Sequence, residues 1–298
     1  VTVPAWTDAC EREAQRVVHA SLAEDLGERG DLTSALVMRC RGKDAATMRT
    51  AVVAREQGVL AGVRTAGIVA SAVGATWEPL LDDGSPLVPG SVVGRLHGPS
   101  AGVLAGERTL LNLLGVLCGT ATVTRRHVDL VADTRACVCD TRKTLPGLRR
   151  LQKFAVACGG GTPHRMGLHD AVLVKDNHLA GLDPAGIADL ARRLAPEARS
   201  AGAAFIEFEV DGLDQLDALL DLPAGMIDMV LLDNFDTAML HEAVARRGAR
   251  APGLLLEASG GVRLETIASI AATGVDRISV GALTHGVRSL DLGLDGVA

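Results

Sequence analysis

Tyrosine is absent from this chain of 298 residues, and aromatic side chains make up only 2% of it. A core so poor in rings has to be aliphatic and rich in alanine. The platforms on which proteins stack single-stranded nucleic acid need aromatic faces, so that partner is not expected. No apolar run reads as long enough to span a membrane. The opening residues, VTVPAWTDACERE, lack a basic stretch followed by an apolar one, so no secretory leader is expected. Six cysteines, Cys10, Cys40, Cys118, Cys137, Cys139 and Cys158, include no C-x-x-C pair. They read as small buried thiols of a protein kept in a reducing cytoplasm. Internal repeats and low-complexity segments are also missing.

Hydrophobic residues reach 48%, ample for a packed core, and the length suits one large domain or two ordinary ones. The net charge is −6. One stretch inverts that sign. From Asp140 to Leu179, the cations Arg142, Lys143, Arg149, Arg150, Lys153, Arg165 and Lys175 face the anions Asp140, Asp170 and Asp176, a local balance of +4. A basic island in an acidic chain points to a site for an anionic small molecule rather than a surface for nucleic acid.

Asp8 to Leu26 has the spacing of an amphipathic helix, with Val17, Val18, Leu22 and Leu26 on one face and Thr7 or Asp8 as its cap. EDLGERGDLTSALV reads as a loop. Thr47 to Arg55 alternates like a strand, and Ala61 to Val73 reads as a helix of small residues. Turn signals at Asp83-Gly84, Pro89-Gly90 and Gly98-Pro99 divide Trp77 to Pro99 into hairpins. Asp82-Asp83-Gly84-Ser85 faintly resembles an acidic ribose-phosphate loop. With Pro86 and Pro89 following and no helix opening, it reads as a hairpin turn. Val103 to Asp133 is helical in pattern and reads as two helices, with Gly115 and Gly119 allowing a break or close packing.

From Ala136 the rhythm changes to short apolar runs alternating with helical patterns such as Asp183 to Leu194, Leu213 to Leu220, Thr237 to Arg247 and Leu264 to Ala272. Repeated β and α units imply a parallel sheet with right-handed crossovers. Six or more units favour a barrel, and an open doubly wound sheet is the alternative. The boundaries expected are an N-terminal α+β domain over 1–118, an α/β barrel over 119–285, and a tail over 286–298 that returns to the first domain.

In a barrel the strand tips share one mouth. Arg142, Lys143, Lys175, Glu209, Asp233, Ser259 and Gly281 all follow or end apolar runs, so that mouth gathers cations, carboxylates and glycine-rich loops. The late loops SGG and GAL suit a phosphate held by backbone N–H groups. Carboxylates on middle strands suit ribose hydroxyls or a Mg²⁺ ion bridging phosphates. Forked guanidinium groups suit carboxylates and phosphates. Arg149, Arg150 and Lys153 read as a solvated helix face opposite Leu148, Leu151, Ala155 and Cys158. His19, His97, His127 and His241 show no ligand spacing and read as structural. A lone lysine at a strand end is also compatible with a solvated terminus, or with a Schiff-base site at Lys175 in a barrel aldolase.

DTRKTLPGLR, GGGTPHRMGLHDAVLVKDNH, FEVDGLDQL, LLDNF, LEASGG and VGALTH occur in that order, preceded by AEDLGERGDLTSALV and AGERTLLNLLGVLCGTAT. Together they resemble the quinolinate phosphoribosyltransferase family over nearly the whole chain. The resemblance implies an N-terminal α/β sandwich and an α/β barrel of fewer than eight strands. It implies an enzyme that transfers phosphoribosyl from phosphoribosyl pyrophosphate to quinolinate with decarboxylation, with Mg²⁺ bound mainly through substrate phosphates. It further implies that Arg108, Arg142, Lys143, His164, Arg165 and Lys175 surround quinolinate's carboxylates and the pyrophosphate. Glu209 and Asp233 would hold ribose hydroxyls or the metal's surroundings. Ser259, Gly260 and Gly281 would take the 5′-phosphate, with His285 near the phosphates. Among these, Lys143, Lys175, Glu209 and Asp233 are the catalytic candidates. A homodimer with Arg108 shared across the interface is implied as well. A related binding protein without turnover is the non-enzymatic alternative.

Overall fold

The computed structural model describes residues 4–42 and 46–296. They fall into two compact units. The first takes the chain as far as Arg125, returns for Thr144–Gly160, and takes the end of the chain from Leu283. The second comprises Arg126–Lys143 and Gly161–Ala282.

The chain opens with α1 (Asp8–Leu26), α2 (Leu32–Cys40), β1 (Thr47–Ala54), β2 (Gly58–Val59), α3 (Val63–Ala72), β3 (Thr76–Pro79), β4 (Pro86–Leu87), β5 (Val92–Pro99) and α4 (Ser100–Asp129). Thr7 caps α1 through its hydroxyl, which accepts from the Cys10 amide. The stretch read as a loop instead contains α2, capped by Asp31. The expected pair of helices is one unbroken α4, and the expected boundary after residue 118 falls inside it. By length and composition alone α4 could cross a membrane. Leu110, Leu111, Leu113, Leu114 and Leu117 are buried, however, within the first unit's core.

Next come β6 (Cys137–Cys139), α5 (Arg149–Cys158), β7 (Val172–Val174), α6 (Asp176–Leu179), α7 (Pro184–Ser200), β8 (Ile206–Val210), α8 (Leu213–Leu220), β9 (Met229–Asp233), α9 (Thr237–Arg250), β10 (Leu255–Ser259), α10 (Leu264–Ala272), β11 (Arg277–Ser279), α11 (Ala282–His285) and β12 (Leu292–Gly296).

The first unit is built on an antiparallel sheet in the order β12-β1-β5-β3. The tail thus supplies an edge strand, pairing Thr50 with Gly296 through Ala54 with Leu292. Val52, Val69, Leu96, Leu114 and Leu292 meet in an aliphatic core. Asp83 lies in the short turn before β4, and its carboxylate accepts from the amides of Gly62 and Val63, capping α3. α5 also belongs here: Leu151, Ala155 and Cys158 pack with Cys10 and Ala14 of α1 and Leu117 and Ala121 of α4. Lys153 corrects the expected solvated face. It is 1% exposed, whereas Arg149 and Arg150 are half-buried. Because α5 buries residues 151 to 156 without a break, it leaves no fully outer face for Lys153.

The second unit is a six-stranded parallel sheet in the order β6-β11-β10-β9-β8-β7. Strands β7 to β11 pair in sequence order, and β11 then pairs with β6, the first of the set. That cyclic order is a barrel's, with fewer than eight strands. Between β6 and β7 the described residues form no ladder. A single bridge, Cys139 to Thr162, and a bond from the Thr162 amide to the Val138 carbonyl line the segment after the triple glycine along β6. Outward residues such as Phe208, Val230, Leu232 and Ile278 are buried, as are Ile187, Leu216, Leu219, Leu240 and Ile267 of the helices. Of the six cysteines, all free, Cys40 and Cys137 are exposed and the other four are buried.

Candidate active site

Alternate residues of a strand share a face. In the barrel one face carries Leu173 on β7 (with Lys175 just past its end), Glu207 and Glu209 on β8, Leu231 and Asp233 on β9, Glu257 and Ser259 on β10, and Arg277 and Ser279 on β11. The pairing register sets these residues side by side: Leu173 with Glu207, Glu209 with Leu231, Leu231 with Glu257, Glu257 with Arg277, and Asp233 with Ser259. This face opens into a cavity of about 450 Å³ at the C-terminal ends of the strands.

Arg142, Lys143, His164, Arg165, Lys175, Glu209, Asp233 and Ser259 line this cavity together, although 117 positions separate the first from the last. Lys175 is N-cap of α6 and 43% exposed along its side chain. Its ammonium pairs with Glu209, whose side chain is 10% exposed. Arg165 is buried, and its guanidinium donates to the Ala171 carbonyl at 3.3 Å. Burial, then the nearby charge of Arg142, pulls the Arg165 guanidinium below its ordinary range. Two guanidinium groups kept within each other's field create a demand for an anion. Asp140 is fully buried at the tip of β6, where it accepts from the His164 amide at 2.8 Å and ties the His164-Arg165 dipeptide to the mouth.

The two phosphate-type loops are at the expected tips. Ser259 lines the cavity, and its carbonyl accepts from the Asn234 amide at 2.9 Å. Gly260 follows with φ at +93°, and a Cβ there would lie 2.1 Å from Asn234 Oδ1, so only glycine fits. Asn234 is itself left-handed, with φ at 57°. Gly281 follows β11 and precedes α11. Gly260 and Gly281 belong to the second unit but do not line the cavity. Arg108, on α4, and His285, on α11, belong to the first unit, whereas every residue lining this cavity belongs to the second.

Sequence reasoning passed over a second group, which shares His164 and Glu257 with the cavity wall. His164 Nε2 lies 3.1 Å from Glu207 and 3.3 Å from Glu257, both fully buried, and Arg277 Nε donates to Glu257 at 2.8 Å. The Arg165 amide donates to His164 Nδ1 at 2.8 Å, so protein groups take up both ring nitrogens. Burial pushes the Glu207 carboxyl up, and the charge of Glu257 adds to it. Burial opposes ionisation of Glu257 too, but His164 and Arg277 prevail and hold it below the usual range. Its signal in the sequence was an acid inside an apolar run, in FIEFEV and again in LLLEA.

A parallel barrel whose strand tips converge cations, carboxylates and glycine-turned loops belongs to the enzymes that take small, multiply charged substrates at that face. Similarity to known proteins narrows the class. Residues 31–118 match the model of the quinolinate phosphoribosyl transferase N-terminal domain, and residues 120–295 match its C-terminal domain. The chain belongs to the quinolinate phosphoribosyltransferase family. It is 44% identical, over 96% of its length and 98% of the other's, to the nicotinate-nucleotide pyrophosphorylase [carboxylating] of Mycobacterium leprae. It is 34% identical to the chloroplastic enzyme of that name from Arabidopsis thaliana, over 95% of this chain and 82% of that one. Among solved structures, the nicotinate-nucleotide pyrophosphorylase of Francisella tularensis superposes with a TM-score of 0.86 at 33% identity, covering 100% of this chain and 99% of that one.

Proposed function

We propose that the chain transfers the phosphoribosyl group of phosphoribosyl pyrophosphate to quinolinate and releases CO₂. The products are nicotinate mononucleotide and pyrophosphate, in the synthesis of NAD. The observation that carries this reading is the single cavity in which Arg142, Lys143, Arg165 and Lys175 stand around Glu209, Asp233 and Ser259. The two substrates bring roughly seven negative charges, and like charges about 4 Å apart repel by on the order of 4 kcal/mol per pair at intermediate dielectric. Cations must offset that repulsion before the pyridine nitrogen can reach C1′.

Arg142 and Arg165 suit the two carboxylates of quinolinate, and Lys143 and Lys175 the pyrophosphate or an adjacent carboxylate. Glu209 and Asp233 accept from the ribose hydroxyls. Ser259, Gly260 and Gly281 take the 5′-phosphate, and His285 serves near the phosphates. As pyrophosphate departs, charge grows at C1′, and fixed carboxylates stabilise it without reorganising. After transfer, the pyridinium nitrogen accepts the electron pair left at C2 when CO₂ departs, so no protein electron sink is called for. C2 then takes up a proton. Mg²⁺ is the cofactor of this reading, held mainly by phosphate oxygens, and when bound it supplies charge neutralisation. Asp176, Asp211 and Asp233 line an adjoining cavity of about 270 Å³, a set of oxygen donors that fits a hydrated hard cation. Lys175 is committed to Glu209, which does not favour the Schiff-base alternative.

Two copies of the chain form the working enzyme in this reading, with Arg108 of one completing the site of the other. The support is α2: Leu32, Leu36 and Val37 are exposed with Leu104 of α4, and Ser34 is the one residue α2 buries. A cytoplasmic setting belongs to this reading, and six free cysteines support it.

Incubation with quinolinate, phosphoribosyl pyrophosphate and Mg²⁺ should yield nicotinate mononucleotide, with one CO₂ per pyrophosphate. Nicotinate, lacking the second carboxylate, should show kcat/KM lower by about 10⁴ or more, because the site's cations are then left unpaired. Comparable values for the two acids would remove quinolinate as the substrate. Arg108→Ala and Lys175→Ala chains, each nearly inactive, should regain about a quarter of wild-type sites when co-refolded in equal amounts. With subunit exchange verified by mass-tagged chains, no gain over the sum of the two would exclude the shared arginine.

A further inference from the structure

The charged group of His164, Glu207, Glu257 and Arg277, of which His164 and Glu257 line the cavity, has too few hydrogen atoms. Neither carboxyl oxygen of Glu207 accepts a hydrogen bond, nor does Oε1 of Glu257, and all three are shielded from solvent. The one N–H between them is His164 Nε2, at 3.1 and 3.3 Å and well aligned with neither. Arg277 serves Glu257 through Oε2 alone. Buried oxygens without donors are costly, so a further hydrogen belongs here.

It cannot sit on the imidazole. Nδ1 already accepts from the Arg165 amide at 2.8 Å, and a proton there would set N–H against N–H. Nor is a metal ion the answer, although His164, Glu207 and Glu257 offer three ligand atoms within 4.8 Å of one another. A metal on Nε2 leaves Nδ1 as the protonated, donating nitrogen, and here Nδ1 is an acceptor. What remains is a carboxyl. Arg277 holds Glu257 ionised, and Glu207 has no hydrogen-bonded cation.

We propose that Glu207 is protonated and donates to Glu257, that this proton-sharing pair keeps His164 as the neutral Nε2–H tautomer, and that His164 in turn positions Arg165 at the cavity. Glu207 and Glu257 are positioning residues in this assignment. One hydrogen satisfies the orphaned oxygens of both glutamates, and the group of Glu257, Arg277, neutral His164 and neutral Glu207 carries no net charge. The remaining groups facing it agree. On β6 the Cys139 thiol is pushed up by burial and then by Glu257, so it stays neutral, and Glu209 is occupied by Lys175. Arg165 lies within the field of Glu207. The two carboxylates draw a proton toward the imidazole against its burial, so the group holds one proton among its members. The Arg165 amide at Nδ1 directs that proton to the carboxyl.

The protonation state is read without turnover. Infrared spectra of the full-length protein at neutral pH should contain the C=O stretch of a protonated carboxyl that disappears in Glu207→Gln. Nitrogen NMR should report His164 protonated at Nε2 alone. A fully ionised carboxylate spectrum, an imidazolium signature at His164, or one tightly bound divalent metal per chain that is lost in Glu207→Gln would each overturn the proposal. If the variant does not fold, the wild-type spectrum decides it: the band present at neutral pH supports the assignment, and its absence overturns it. The link to Arg165 rests on the activity proposed above and is tested separately. Glu207→Ala should raise the KM for quinolinate about tenfold or more. Glu207→Gln, which keeps a donor toward Glu257, should recover most of that loss and remove the alkaline limb of the pH profile. Equal losses in the two variants would reject the positioning role. If the chain makes no nicotinate mononucleotide at all, the functional reading fails while the spectra still decide the proton.

Discussion

The two units of this chain have opposite interiors. The first packs Val52, Val69, Leu96, Leu114 and Leu292 into a core of aliphatic side chains. The second places Glu207, Glu257 and Arg277 inside its barrel, two of them fully buried, and rims them with Lys175 and Arg165. Taking charges out of water costs several kcal/mol per ion unless partners offset it, and a hydrophobic replacement often does as well for stability. An aliphatic core needs no functional explanation, whereas a charged one does. The division of labour that follows is testable: substitutions at the barrel mouth should change the reaction, and substitutions in the first core should change stability.

Lys175→Ala is expected to have the largest effect. Removing a positioned cation and leaving Glu209 unpaired should lower kcat by about 10²- to 10⁴-fold. Its side chain is 43% exposed and adds little to packing, so the melting temperature should move by about 2 °C or less. Steady-state kinetics beside a thermal melt separates the two. An unfolded variant whose folded fraction kept full activity would reverse the division.

Leu114→Ala is the counterpart. Leu114 is fully buried in the first unit, and truncation there should cost about 2–5 kcal/mol, from lost burial and the cavity left behind. Denaturant unfolding gives the stability, and kcat per folded molecule should stay at the wild-type value. A kcat that fell in step with stability would show that the first unit's packing is felt at the barrel mouth.

The βα rhythm was legible because amphipathic helices and apolar strands have different periods. α8 and α10 have the bounds their spacing predicts. The residues at the mouth were legible because barrel tips share one face, which turns Arg142, Lys175, Asp233 and Ser259 into neighbours without any contact being known. α2 escaped because Leu32, Leu36 and Val37 are exposed on one short helix, so no buried stripe marks it. Lys153 escaped because α5 is covered nearly all round, and periodicity cannot reveal a second covering surface. The group around Glu207 joins residues 164, 207, 257 and 277, and only the sheet register sets Glu257 beside Arg277. The acids in FIEFEV and LLLEA signalled that something unusual lay there but not what they met.

The smallest predicted effect sharpens the comparison inside the first unit, where Lys153 is buried and Asp83 is half-buried. Asp83 accepts from the amides of Gly62 and Val63 at the start of α3. Burial pushes its carboxyl above the usual range, more than those two amides lower it. Asp83→Ala removes the cap and should cost about 1 kcal/mol. Asp83→Asn keeps an oxygen for both amides and carries no charge. An acid whose folded pKa is raised binds its proton more tightly when folded, so its ionisation at neutral pH works against the fold. Asn should therefore match or exceed the wild type in stability at pH 7. Its advantage should vanish as pH falls and Asp83 takes up its proton. Denaturant midpoints across that range measure the difference. A wild type more stable than Asp83→Asn at pH 7 would mean that the carboxylate's bonds to the two amides outweigh its desolvation, and the first unit would then gain from a half-buried charge.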